Sequence, residues 1–286
     1  MNLKKIIDEE YKNSKPHKIT RQKKFKEKSI IDIHREWLHH VEKDPQYTED
    51  HYTEDYYSSA LKRIIKSNTD YKPEYLSDHA ELMQSLLYDP SIKNIQYSGL
   101  FFSALINNHF KKTEQTEEYV LVLPSELPLL NHLGYKNKGA NIRIRGNTGN
   151  FLCERMKKGT VIVEGNTEHF AGDTMQGGTL YVKKAKMNFA DKMRGGVIYA
   201  DEISYFGHGI EKGEIHVAGG ELLNVNDLIL DRCTLFYKGK QITYPKRKMN
   251  FQKFFQKELE EKEENEKIMK KMYDEFREKI KKIQEQ

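Results

Sequence analysis

The chain has 286 residues, 32% of them charged and 37% apolar, and a formal net charge of +5. No apolar run approaches the ~18 residues of a membrane span, and the charged start MNLKKIIDEEYKNSK lacks the apolar segment of a secretion signal. The two cysteines, Cys153 and Cys233, belong to no CxxC pair, which argues against a finger-type zinc site and a disulfide scaffold and fits a reduced, cytoplasmic setting.

The first segment is basic. Residues 1–36 carry eleven Lys or Arg against six Asp or Glu, so this arm holds the whole net charge and the remainder balances. Within KITRQKKFKEK, the side chains of Lys18, Arg21, Lys23, Lys24, Lys26 and Lys28 surround a single aromatic, Phe25. That composition suits contacts to the phosphates of RNA, or to an acidic partner, without any base-reading module. A plainly solvated terminus is the competing reading.

A helical stretch follows. SIIDIHREWLHHVEK places Ile30, Ile33, Trp37, Leu38 and Val41 at helical spacing. Its histidines contain no HExxH, and His34 and His39 sit about 140° apart on a helix, so they share no metal-binding face. TEDHYTEDYYSSALKRIIKS, PEYLSDHAELMQSLLYD and SGLFFSALINNHF read as further helices, with Pro73 suited to a first turn. EEYVLVLP, residues 117–124, reads as a buried strand.

The next region is marked by its punctuation. Sixteen of the eighteen glycines fall between Gly134 and Gly220, and no proline occurs between Pro128 and Pro245. Frequent turns combined with intact backbone donors are what a ladder of short strands needs. The region repeats itself: IRIRGNTGNFLCERMKKG, TVIVEGNTEHFAGDTMQGG, TLYVKKAKMNFADKMRGG and VIYADEISYFGHGIEKG, then a partial EIHVAGGELL. Met156, Met175, Met193 and Ile210 recur at intervals of 19, 18 and 17, as do the closing glycines Gly159, Gly178, Gly196 and Gly213. Alternating apolar residues open each unit, Gly146 and Gly165 turn the first two, and Phe151, Phe170, Phe189 and Phe206 are read as one internal aromatic stack. A short repeat that cannot bury its apolar side alone predicts a solenoid. The expected form is a right-handed parallel β-helix of about four or five turns, with strands stacked at ~4.8 Å.

The spacing G-N-x-G-x-F-x-x-x-x-M-x-x-G, with a glycine pair before a short strand, resembles the GXGXG repeat family. That repeat forms the C-terminal β-helix of the glutamate synthase large subunit and makes up the C subunit of formylmethanofuran dehydrogenase. LPLLNHLGYKNKGANIRIRGN resembles its lead-in, and the likeness covers residues 124–222. It implies a spacer or docking body, with the redox chemistry in other domains. Cys153, Glu168 and Thr174 depart from the pattern, and Lys183-Lys184-Ala185 replaces the turn of the third unit.

No catalytic residue, cofactor or metal site is expected. GHGIEKG has the wrong spacing for a dinucleotide loop and no helix after it. His169 and His208, with Asp173 and Asp191, can line one outer strip, but the acidic positions do not recur as a convincing pair. Cys153 fills an inward position rather than acting as a nucleophile.

Residues 250–286 hold ten basic and ten acidic residues with no glycine or proline. Phe251, Phe254, Phe255 and Leu259 form one apolar stripe; Ile268, Met269, Met272, Phe276, Ile280 and Ile283 form another. This predicts a long charged helix that docks on its own protein or pairs with another helix. Lys246, Arg247 and Lys248 add a second basic cluster before it. The sequence therefore reads as α+β: a helical region over 1–116, a β-helix with its lead-in strand over 117–244, and a charged helix over 245–286. The preferred function is a non-catalytic scaffold or assembly subunit that meets protein partners, or itself, through its helices. An RNA- or ribosome-associated protein using the basic arm is the alternative, and an accessory subunit of a redox complex the third.

Overall fold

The structure is a computed structural model and describes residues 24–42, 53–67, 73–114, 117–220, 225 and 232–242. Four helices come first: α1 (Lys24–Glu42), α2 (Thr53–Ser67), α3 (Leu76–Leu82) and α4 (Ser98–Thr113). Short 3-10 turns at Pro73–Tyr75 and Met83–Tyr88 flank α3 on both sides. Thus the single helix expected from Pro73 to Asp89 is a short α-helix extended by tighter turns. The basic residues Lys18, Arg21, Lys23, Lys246, Arg247 and Lys248, and the C-terminal stretch 250–286, lie outside the described residues. Lys24, Lys26 and Lys28 lie on α1.

The helices bury the apolar stripe that their sequences carry. Trp37, Leu38 and Val41 of α1 meet Leu100, Phe101 and Phe102 of α4 in one continuous core, and the Trp37 indole N–H donates to the Tyr56 carbonyl of α2 (3.2 Å). His34 belongs to this core. Its ring stacks on Phe101 with centroids 4.1 Å apart, and its Nδ1 lies 3.0 Å from Nε2 of the equally buried His79.

Nine strands follow: β1 (Tyr119–Val122), β2 (Lys138–Arg145), β3 (Lys158–Val163), β4 (Asn166–Thr167), β5 (Thr179–Ala185), β6 (Val197–Ile203), β7 (Gly213–Gly219), β8 (Cys233–Tyr237) and β9 (Lys240–Ile242). From β1 to β8 every pairing is parallel, and β9 folds back antiparallel on β8. This is a parallel β-solenoid of about 6 turns over residues 119–237. The count exceeds the four or five expected because both ends lack the repeat's punctuation. Residues 119–137, read as a lead-in, already make a turn: His132, Gly134 and Lys136 have positive φ, as do Phe151, Cys153 and Arg155 one unit later.

One face of each strand points inward. Ile142, Val161, Leu180, Ile198, Ile215 and Leu235 occupy one register position on successive rungs and are fully buried. Met156, Met175, Met193 and Ile210 are buried as well. The glycine after each anchor makes room for the methionine below it. A Cβ on Gly178 would lie 2.5 Å from the Met156 methyl, and one on Gly196 2.8 Å from that of Met175. Both glycines also have positive φ, at +86° and +96°, a conformation that side chains resist.

The aromatic residues divide differently from the expectation. Phe151 and Phe170 stack 4.8 Å apart on half-buried positions, with the His132 ring 4.9 Å from Phe151. Phe189 and Phe206 stand one position later and are fully buried. The corner hydrogen bonds fix this register: Gly172 N–H to Leu152 O, Ala190 N–H to Ala171 O and Gly207 N–H to Phe189 O place Leu152, Ala171, Phe189 and Phe206 on equivalent sites. The cue is present in the chain. The aromatic precedes its anchor by five residues in Phe151/Met156 and Phe170/Met175, but by four in Phe189/Met193 and Phe206/Ile210. The third unit, without a turn glycine, runs straight through Lys183-Lys184-Ala185 as part of β5.

An open solenoid end is a row of unpaired backbone groups. At β1 this row meets α3, where the Ser77 hydroxyl accepts from Val122 N–H (3.1 Å) and donates to Val120 O (3.2 Å). At the other end the short hairpin β8–β9 replaces a parallel rung with a three-residue antiparallel strand. Among the described residues, no helix is long and apolar enough to cross a membrane.

Candidate functional site

The solenoid's corner loops stack as regularly as its strands. Lys136 N–H donates to Glu154 O, Arg155 N–H to Asp173 O, Thr174 N–H to Asp191 O and Lys192 N–H to His208 O, all at 2.8–3.0 Å. These bonds align Tyr135, Glu154, Asp173, Asp191 and His208 as one column across five rungs. Three consecutive members are carboxylates, so the acidic positions do recur in register, contrary to the expectation from sequence. The signal was available: Glu154, Asp173 and Asp191 each stand two residues before a methionine anchor. Counting from the aromatics hid it, because their offset changes between units. Of the two histidines expected beside this strip, His208 belongs to the column. His169 stands next to Phe170, its Nδ1 accepting from Met187 N–H at 3.3 Å.

Each end of the column has its own counter-charges. Glu154 is buried, and its Oε2 lies 2.8 Å from His132 Nδ1 while its Oε1 lies 3.5 Å from Arg155 Nε. Arg155 also reaches Glu54 of α2 (3.5 Å) and the Tyr135 hydroxyl (3.4 Å). The Tyr135 hydroxyl donates to Glu54 Oε2 (2.9 Å), and the Lys136 ammonium contacts the same oxygen. Burial works to raise the Glu54 pKa, yet the hydrogen bonds from Lys136 and Tyr135 and the two cations hold it below the usual carboxylate range. Burial, reinforced by the charge of Glu154, pushes the Tyr135 phenol well up.

In the middle, Asp173 has fewer compensations. Burial, then repulsion from Glu154 and Asp191, pushes its carboxyl up to about 7 against the opposing pull of Lys192 and Arg155. Oδ1 of Asp173 and Oδ1 of Asp191 are both buried with no hydrogen-bond partner among the described residues. Lys192 sits 3.5 Å from the other Asp191 oxygen. The arrangement can hold a proton on Asp173 near neutrality, because two adjacent carboxylates resist ionising together.

The remaining chemistry-bearing groups serve packing. Cys153 is fully buried at a left-handed corner position, and burial raises its thiol pKa; Cys233 is pushed up to about 12 by burial and by Glu214. Such thiols stay protonated and unreactive at neutral pH. GHGIEKG is followed by strand β7, and a Cβ on Gly207 would lie 2.5 Å from Asp191 Cα. Among the described residues, no three His, Cys, Asp or Glu side chains are placed to share one metal ion.

Fold and site together define a helix-capped parallel β-solenoid with a stacked carboxylate column at the joint between its two parts. No protein-family model matches the chain, and neither does any curated protein or solved structure.

Proposed function

We propose that this protein is a non-catalytic scaffold or assembly subunit, in which a rigid right-handed solenoid displays helices to protein partners. One observation carries the reading: the polar groups at the joint are engaged with each other across the two parts. Glu54 of α2 takes Tyr135, Lys136 and Arg155 from the solenoid, and Arg155 and His132 engage Glu154. A joint tied in this way transmits position and leaves these side chains committed to structure. The likeness of the repeat to the GXGXG family supports the same role, since that repeat serves there as a docking body. The long charged helix expected over residues 250–286 is the natural partner-facing element, in a cytoplasmic setting. Crosslinking in native cells should place partner contacts on the helices and not along the carboxylate column. Turnover of a small substrate by the purified chain, or uptake of a flavin, would sink the proposal.

A second reading rests on the continuity of Lys24, Lys26 and Lys28 of α1 with the basic stretch that begins at Lys18. It makes the protein an RNA- or ribosome-associated binder. RNA retention that falls steeply with salt and disappears on deleting residues 1–28 would support it; no retention at low salt would remove it.

A further inference from the structure

The solenoid has a second apolar cluster, on the outside of its sheet. Ile162, Tyr181 and Tyr199 pack together with Val197, apart from the interior core. Strand pairing extends this outer column through His216 to Phe236. The His216 ring stacks on Tyr199 at 4.6 Å and on Phe236 at 4.4 Å. Outward residues of a solenoid ordinarily face water, yet Ile162 and Tyr199 are only 5% exposed and Tyr181 9%. The described helices make their main contacts with the sheet at β1 and β2, away from this column. Something else must cover it.

We propose that the cover is the first apolar stripe of the C-terminal segment, Phe251, Phe254, Phe255 and Leu259, folded back on the outer column of its own solenoid. The described chain ends at Ile242, and β9 places Gln241 directly beside Phe236. The column from Tyr181 to Phe236 crosses three rung spacings, about 14 Å. A helix over residues 251–259 spans about 13 Å, so the stripe matches the column in length. Residues 243–250 reach up to ~27 Å when extended, enough to bring Phe251 to either end of the column. The other nearby apolar stretch, residues 221–231, is directed elsewhere, since its described member Val225 packs against the interior core. The second stripe, Ile268 to Ile283, stays available for a partner, which separates self-docking from partner binding along one segment.

The test is hydroxyl-radical footprinting of the full chain, parent against the double variant Phe254→Glu, Phe255→Glu. Oxidation of Tyr181 and Tyr199 should rise several-fold, while Tyr119 and Tyr135, buried in the interior, stay protected. Unchanged rates at Tyr181 and Tyr199 with the interior protected overturn the proposal. If the interior tyrosines also react, the variant has unfolded, and a photo-crosslinker at position 254 of the otherwise unaltered full chain decides. Crosslinks within one chain to residues 179–219 support the docking. Crosslinks between two copies, or to residues 24–42, overturn it.

Discussion

At the scale of single residues, the solenoid rests on side chains that the repeat makes equivalent. Gly178 combines a positive φ with a methionine methyl and the Gly159 carbonyl inside the volume of any Cβ. Gly178→Val should therefore destabilise the protein by about 3 kcal/mol or more, read as a lower midpoint in urea unfolding. Asp173 makes the opposite prediction. Its folded carboxyl titrates near 7 and its unfolded one near 3.8, so between those values the folded state holds a proton that the unfolded state has lost. Stability from this group thus falls as pH rises from about 4 to 7. Asp173→Asn should raise the melting temperature at pH 8 and leave it close to the parent's at pH 4. A gain that is equal at both pH values would show that the carboxylate column exerts no such repulsion.

At the scale of elements, the helical part carries a buried titratable pair that no apolar pattern required. His34 on α1 and His79 on α3 share one hydrogen bond, and each has a second ring nitrogen without a hydrogen-bond partner among the described residues. Burial lowers both pKa values, His79 to about 3, and the charge of His79 lowers His34 further. The unfolded chain binds protons below about 6.5 and the folded chain resists them, so stability is full above that pH and declines below it. Two such groups give a slope of at most about 2.7 kcal/mol per pH unit. Trp37 is the sole tryptophan of the chain and lies 5.9 Å from His34, so its fluorescence reports this transition directly. Replacing both histidines with phenylalanine should remove most of the acid sensitivity between pH 6 and 4. A Trp37 transition that stays in place would assign it to other groups.

At the scale of the whole molecule, the helices and the solenoid share one core, joined where α4 lies against the first corner loop. Gly99 admits the loop so closely that a Cβ there would sit 1.9 Å from the Asn131 carbonyl oxygen. The Ser103 hydroxyl donates to His132 O (2.9 Å), and the Asn107 amide to Tyr135 O (3.0 Å). A continuous core predicts a single cooperative transition. Gly99→Ala should lower the midpoint of Trp37 fluorescence and of far-ultraviolet circular dichroism together, by about 1–3 kcal/mol in stability. Two separate midpoints in the parent protein would mean that the parts fold independently.

The sequence by itself determined the parallel solenoid, its glycine corners and its methionine anchors, because a stacked repeat presents the same local problem in every unit. It also determined the helical start, since Trp37, Leu38 and Val41 announce a buried face through their spacing alone. Only the tertiary structure decided what depends on neighbours from other rungs or other elements. It moved Phe189 and Phe206 to a different column from Phe151 and Phe170, since backbone hydrogen bonds set the register and side-chain likeness does not. It brought Glu154, Asp173 and Asp191 into one line and set Glu54, more than eighty residues before Tyr135, against the first of those rungs. Residue spacing carries information about one helix face or one strand face. Charge repulsion, burial and a shared proton arise only when distant units are stacked.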